Sequence, residues 1–154
     1  MQKPLIDIGS RLELLVDDHL LEIREGGAAL CLHPPIPREV VLVTDRPWEG
    51  NMCGGFKTVF RDGARVRLYY QSWHGDLSRG KFDQPHGLHI AYVESPDGIH
   101  WTRPELGLIE FQGSKKNNIV FDGIGPEQIG VHGFAPFKDS NPSCKPGETY
   151  KAVG

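Results

Sequence analysis

Nowhere does the 154-residue sequence hold the ~20 consecutive apolar residues that a membrane-spanning helix needs, so no membrane partner is expected. Residues 1–10 show no apolar core behind a positive cluster. No signal peptide is therefore expected, and the cytoplasm is the default compartment in an otherwise open assignment. Cysteine is scarce. Cys31, Cys53 and Cys144 lie far apart with no Cys-x-x-Cys pair, which points to free thiols rather than a disulfide or zinc site. The N-glycosylation pattern is missing, because Asn141-Pro142-Ser143 carries the excluded proline. Positive charge is not in excess: 17 Lys and Arg face 20 Asp and Glu, for a net charge of −3. No basic field draws the chain to nucleic acid or anionic lipid, and Lys115-Lys116-Asn117-Asn118 is a short basic turn rather than a patch.

Glycine and proline, by contrast, are plentiful. Nineteen Gly and twelve Pro fall between short apolar runs, which is the punctuation of an all-β chain. With 38% hydrophobic and 24% charged residues, the composition is that of a single globular domain able to bury a normal core.

Leu12–Val16 and Val40–Val43 read as short strands, the latter buried, and Ala29–Leu32 is a further short apolar run. Residues 18–24 allow a short helix, capped by Asp17 or Asp18 and stopped by Gly26-Gly27. Asp17-Asp18 fits a cap or turn better than a catalytic pair, since adjacent strand residues face opposite sides. His33-Pro34-Pro35-Ile36-Pro37 is an extended connector.

The most organised region runs from 56 to 102. Two alternating stretches flank Asp62-Gly63 and predict a hairpin over 56–71. A polar loop follows over 74–87, then a strand over 88–93, a tight turn at Ser95-Pro96-Asp97-Gly98, and an outward strand through Ile99-His100-Trp101. We expect these to form a four-stranded antiparallel meander. The pattern then restarts: Asn118–Phe121 is a strand, and Phe137-Lys138-Asp139 repeats Phe60-Arg61-Asp62 at a distance of 77 residues. A short strand over 149–153 answers Val66–Tyr70. Repetition of a four-stranded unit is a propeller signature, and 154 residues fall short of the four or more blades of ~40–50 residues that a ring requires.

Leu15-Val16-Asp17-Asp18-His19-Leu20-Leu21-Glu22, Pro47-Trp48-Glu49-Gly50, Leu68-Tyr69-Tyr70, Ala91 through Trp101, Asn117 through Val120 and Phe137 through Pro142 resemble the N-terminal part of bacterial proteins classed near glycoside hydrolase family 32. These belong to the five-bladed propeller superfamily of invertases, levansucrases and arabinanases. The resemblance implies an incomplete five-bladed β-propeller of about one and a half to two blades. On that reading residues 1–47 are an N-terminal segment, 48–112 a first blade and 113–154 the start of a second. It implies a glycoside hydrolase-like chain that acts on or binds carbohydrate and is inactive alone. The alternative is a non-catalytic carbohydrate-binding or structural module. Self-association through unpaired blade edges is also expected.

The family places an Asp at the start of the inner strand of its first blade and another in its second. The corresponding stretches here, Asn51–Gly55 and Gly130–Gly133, contain no carboxylate. Glu49 is the nearest acid to the first stretch and, beside Trp48, the candidate catalytic carboxylate; Glu127 lies near the second. Trp48, Asn51 and His132 are the candidate sugar contacts. Asp62 and Asp139 are expected at the end of the sheet away from the funnel. Ser95–Trp101 is similar to the Asp-box turn of sialidase propellers, with Asp97 holding the turn. His74, His86 and His89 lack a supporting carboxylate pair, so they suit a loop rather than a metal centre. No cofactor is expected.

Overall fold

The computed structural model describes residues 5–21, 25–52, 55–76, 78–80, 86–123 and 130–154. The chain divides into two units, Met1–Glu39 and Val40–Gly154.

The described residues of the first unit contain turns but no strand or helix. Leu12 and Leu14 are almost fully exposed, so the strand expected over 12–16 does not form, and Leu32 in the apolar run 29–32 is exposed as well. Apolar alternation supplies a preference, but a strand exists only when a neighbour takes its backbone groups. Asp17 makes a turn, its carboxylate accepting the His19 amide at 2.9 Å. Leu21 N–H closes a turn on the Asp18 carbonyl at 3.2 Å, and the remainder of the helix allowed over 18–24 lies outside the described residues.

The second unit is all-β, with no helix among its described residues. Val40–Val43 is not a strand: Val40 and Val43 are exposed, and Leu42 alone packs on the core. Strands β1 (Lys57–Asp62), β2 (Arg65–Ser72), β3 (His89–Ser95) and β4 (Ile119–Phe121) form an antiparallel sheet in that order. Asp62 pairs with Arg65 across a two-residue turn, in which Gly63 takes a φ of 60°. A II′ hairpin turn needs positive φ at that first position, and glycine adopts it without a Cβ clash. Tyr70, Ala91 and Val93 form the buried cluster, with Leu42, Leu68 and Trp101 packed against it.

The fourth strand differs from expectation. After the Ser95–Gly98 turn, Thr102 alone pairs with Glu94, through bonds of 3.1 and 2.8 Å. Pro104 cannot donate to a ladder, and the chain leaves the sheet there. It returns at Asn118, whose carbonyl accepts the Tyr92 amide at 2.9 Å, and Ile119 pairs with Ala91. The outer edge of β3 is thus covered in two pieces, separated by an excursion over 103–117.

Strands β5 (Ala135–Lys138) and β6 (Tyr150–Val153) make a second antiparallel sheet. Asp62, at the end of β1, ties it to the first. Lys138 Nζ donates to its Oδ1 at 2.6 Å, while Tyr150 OH and Arg67 Nε both donate to Oδ2 at 2.8 Å. The Phe121 and Phe134 rings stack at 5.3 Å beside this junction.

Candidate functional site

The segment before β1 turns sharply, with Glu49 N–H bonding the Arg46 carbonyl at 2.9 Å. The Glu49 carboxylate folds back over this turn and accepts the Asp45 and Arg46 amides at 2.8 and 2.9 Å. Arg103, just after the Thr102 bridge, adds Nε at 2.9 Å and Nη2 at 3.1 Å, and Tyr70 OH donates from β2. The residue is 0% exposed. Five donors therefore occupy two oxygens that no solvent reaches, and the negative charge is matched by the Arg103 guanidinium. Burial, and then the neighbouring carboxylate, push the Tyr70 phenol above its ordinary pKa, so it remains a proton donor to Glu49. Glu49 is the post around which the loop is built.

Gly50 comes next, with φ of 67°, against the backbone of Trp73; a Cβ there would sit 2.0 Å from the Trp73 carbonyl oxygen. Met52 exchanges two 3.1 Å backbone bonds with Trp73. Asn51 is tied to Gly75 by two 2.9 Å bonds, one in each direction, so both ends of its amide hold the loop after β2.

Trp48 is partly exposed. Its indole Nε1 donates to Asn118 Oδ1 at 2.6 Å, and Asn118 Nδ2 donates to the Tyr92 carbonyl at 2.7 Å and Tyr70 OH at 3.2 Å. The ring is thereby locked to the completely buried Asn118 at the head of β4. Phe111 meets Trp48 edge-on at 6.4 Å. It is brought there by a two-residue turn whose central residues, Gln112 and Gly113, have φ of 49° and 80°, the left-handed pair of a I′ hairpin. Two shallow clefts meet at Trp48, Lys116 and Asn117. One continues over Arg46, Arg103 and Glu105, the other over Pro47, Phe111 and Gln112. Together they form an open groove with an aromatic floor and a charged rim.

The other sequence candidates sit elsewhere. His132 is exposed and meets Phe56 edge-on at 5.0 Å, at the start of β1 and apart from the Trp48 groove. Glu127 lies outside the described residues. Asp97 holds its turn: Oδ1 accepts the Ile99 and His100 amides, both at 2.8 Å, while Trp101 Nε1 bonds the Gly98 carbonyl at 3.0 Å. The His74, His86 and His89 rings form a row beside Phe111, 5.8 and 5.0 Å apart. Burial, and then His86, lower the His89 pKa. Among the described residues no three His, Cys, Asp or Glu are grouped to hold a metal ion.

Asn118, Arg103, Phe111 and Lys116 were not legible as site residues. Gly113, followed by the polar run Ser114-Lys115-Lys116, carried a signal for a turn; Arg103 carried none. No protein-family model, curated protein or solved structure matches the chain.

Proposed function

We propose that this chain binds carbohydrate in the groove over Trp48, as part of a glycoside hydrolase-like propeller, and that Glu49 shapes the groove rather than cleaving the sugar. The observation that carries the reading is the Trp48 indole, pinned by Asn118 at 2.6 Å and bordered by Arg46, Glu105, Lys116 and Asn117. A rigid aromatic face with a few convergent polar groups suits a sugar ring, whose C–H face packs on the indole while its hydroxyls bond the rim. Glycoside hydrolysis needs two carboxyl groups across the scissile bond. Among the described residues lining the groove Glu105 alone is acidic, and Glu49 beneath it has both oxygens filled.

Titration calorimetry against a panel of fructans and aryl glycosides tests this, with turnover assayed on the same samples. The expected outcome is binding without turnover, weakened at least about tenfold in Trp48→Ala, the order of loss for a buried aromatic anchor. Equal binding by Trp48→Ala would remove the groove from consideration. Turnover that disappears in Glu49→Gln would make Glu49 catalytic after all.

A further inference from the structure

The two hairpins carry one charge device used twice. In the first, Phe60 pairs with Arg67, and Arg67 Nε bonds Asp62. In the second, Phe137 pairs with Lys151, and Lys151 Nζ bonds Asp139. Each hairpin therefore has an acid just after its first aromatic and a cation opposite that aromatic. The middle residue, Arg61 or Lys138, points to the other face of the strand, since successive strand residues alternate. β1 thus bears Asp62 on one face and Arg61 on the other, and β5 bears Lys138 on one face with Asp139, the residue that follows it, on the other.

At the junction between the sheets the two faces meet: the Lys138 cation of β5 enters the Asp62 carboxylate of β1. This leaves one of each unused. Arg61 is exposed and has no acceptor among the described residues. Asp139 holds Lys151 and the Asn141 amide of its own hairpin, and no side chain of another sheet reaches it among the described residues. The neighbouring apolar residues follow the same rule. Pro136, two residues before Lys138, is buried, whereas its counterpart Val59, two before Arg61, is 60% exposed. Phe60, two before Asp62, is partly buried and stacked on Tyr69, whereas Phe137, two before Asp139, is 40% exposed.

We propose that a second copy of this chain docks head to tail, setting the Arg61 face of its β1 against the Asp139 face of β5, so that Arg61 enters Asp139 as Lys138 enters Asp62. The arrangement is heterologous: each copy offers a different surface at each end, and repetition gives a ring or a filament according to the rotation. The copy-to-copy junction has one bond fewer than the internal one, because the counterpart of Tyr150 in β2 is Val66, which has no hydroxyl to donate.

Sedimentation over a range of concentrations, at low and at high salt, tests this on the full chain. The expected result is association that rises with concentration and weakens with salt. Arg61→Glu and Asp139→Lys should each weaken it about tenfold or more, because like charges then face each other. An equimolar mixture of the two variants should restore it, since the acid introduced in one variant then meets the cation introduced in the other. Because Asp139→Lys also breaks the Lys151 bond within its hairpin, Arg61→Glu, which removes no hydrogen bond or ion pair among the described residues, carries the test if Asp139→Lys unfolds. A parent that stays monomeric at every concentration, an Arg61→Glu variant that associates as the parent does, or a mixture of two folded variants that fails to regain association would each overturn the proposal.

Discussion

Trp48 and Asn118, 70 residues apart in sequence, share a 2.6 Å hydrogen bond that fixes the indole at the head of β4. Asn118 reaches on to Tyr70, Tyr70 to Glu49, and Glu49 to Arg103, so the groove floor rests on one continuous polar chain. Such a network rigidifies when complete and is costly when broken, because Glu49, Tyr70 and Asn118 at its centre are buried.

Asn118→Ala should therefore do two things at once. It leaves the Tyr92 carbonyl and the Trp48 N–H without their partner, a cost of about 1–3 kcal/mol for each buried group. It also frees the indole. We expect a lower melting temperature and weaker sugar binding than in the parent, whereas Asn51→Ala, which unties Gly75 instead, should lower stability with a smaller effect on binding.

Glu49→Ala removes the acceptor of five donors and leaves Arg103 with only the exposed Asp45 carboxylate, 3.7 Å away, as a counter-charge. Breaking a buried pair from one side costs about 3–5 kcal/mol, enough to unfold a marginal domain. Denaturant titration should show the loss. Little change in midpoint would contradict the supporting role assigned to this carboxylate.

Gly50 and Gly63 both have positive φ, but their surroundings differ. A Cβ at Gly63 meets nothing within 4 Å, while one at Gly50 would lie 2.0 Å from the Trp73 carbonyl oxygen. Gly63→Ala should cost about 1–2 kcal/mol of backbone strain. Gly50→Ala should cost distinctly more and displace the 45–52 loop from Trp73, read as loss of sugar binding in the protein that still folds.

The Asp62 carboxyl is held well below the usual carboxylate range, first by the Lys138 bond and then by that of Tyr150. A carboxyl depressed in the folded state stabilises it above the unfolded pKa of about 3.9 and loses that contribution as pH falls further. Hydrogen exchange in residues 135–138 and 150–153 should therefore rise as pH drops below about 4, after correction for intrinsic rates. Asp62→Asn should show raised exchange already at neutral pH and a flatter acid response. An acid response in Asp62→Asn equal to that of the parent would assign the effect to another group.

Local chemistry was legible wherever the determining groups are neighbours in sequence. Asp62-Gly63 between two alternating stretches specifies the β1–β2 hairpin, because turn geometry and side-chain alternation are both short-range. Ser95-Pro96-Asp97-Gly98 specifies its turn, since the Asp97 acceptor and the amides it takes lie within three residues. The repeat of Phe60-Arg61-Asp62 in Phe137-Lys138-Asp139 was visible by eye, and both copies begin hairpins.

Tertiary structure decided the rest. Leu12–Val16 and Val40–Val43 have the composition of strands and are not strands, because pairing requires a free sheet edge and composition cannot say whether one is within reach. The edge of β3 went to Thr102 and then to Ile119 rather than to Ile99–Trp101, since Pro104 ends the first piece and Asn118 supplies the carbonyl that resumes it. Glu49 beside Trp48 looks like a sugar-cleaving acid when only neighbours in sequence are compared. Its chemistry is set instead by Tyr70 and Arg103, brought from 21 and 54 residues away, whose donors fill its oxygens. The sequence determined which residues turn and which alternate. The long-range contacts determined which side chains are buried and satisfied and which remain at the surface, because burial depends on the packing of the whole unit.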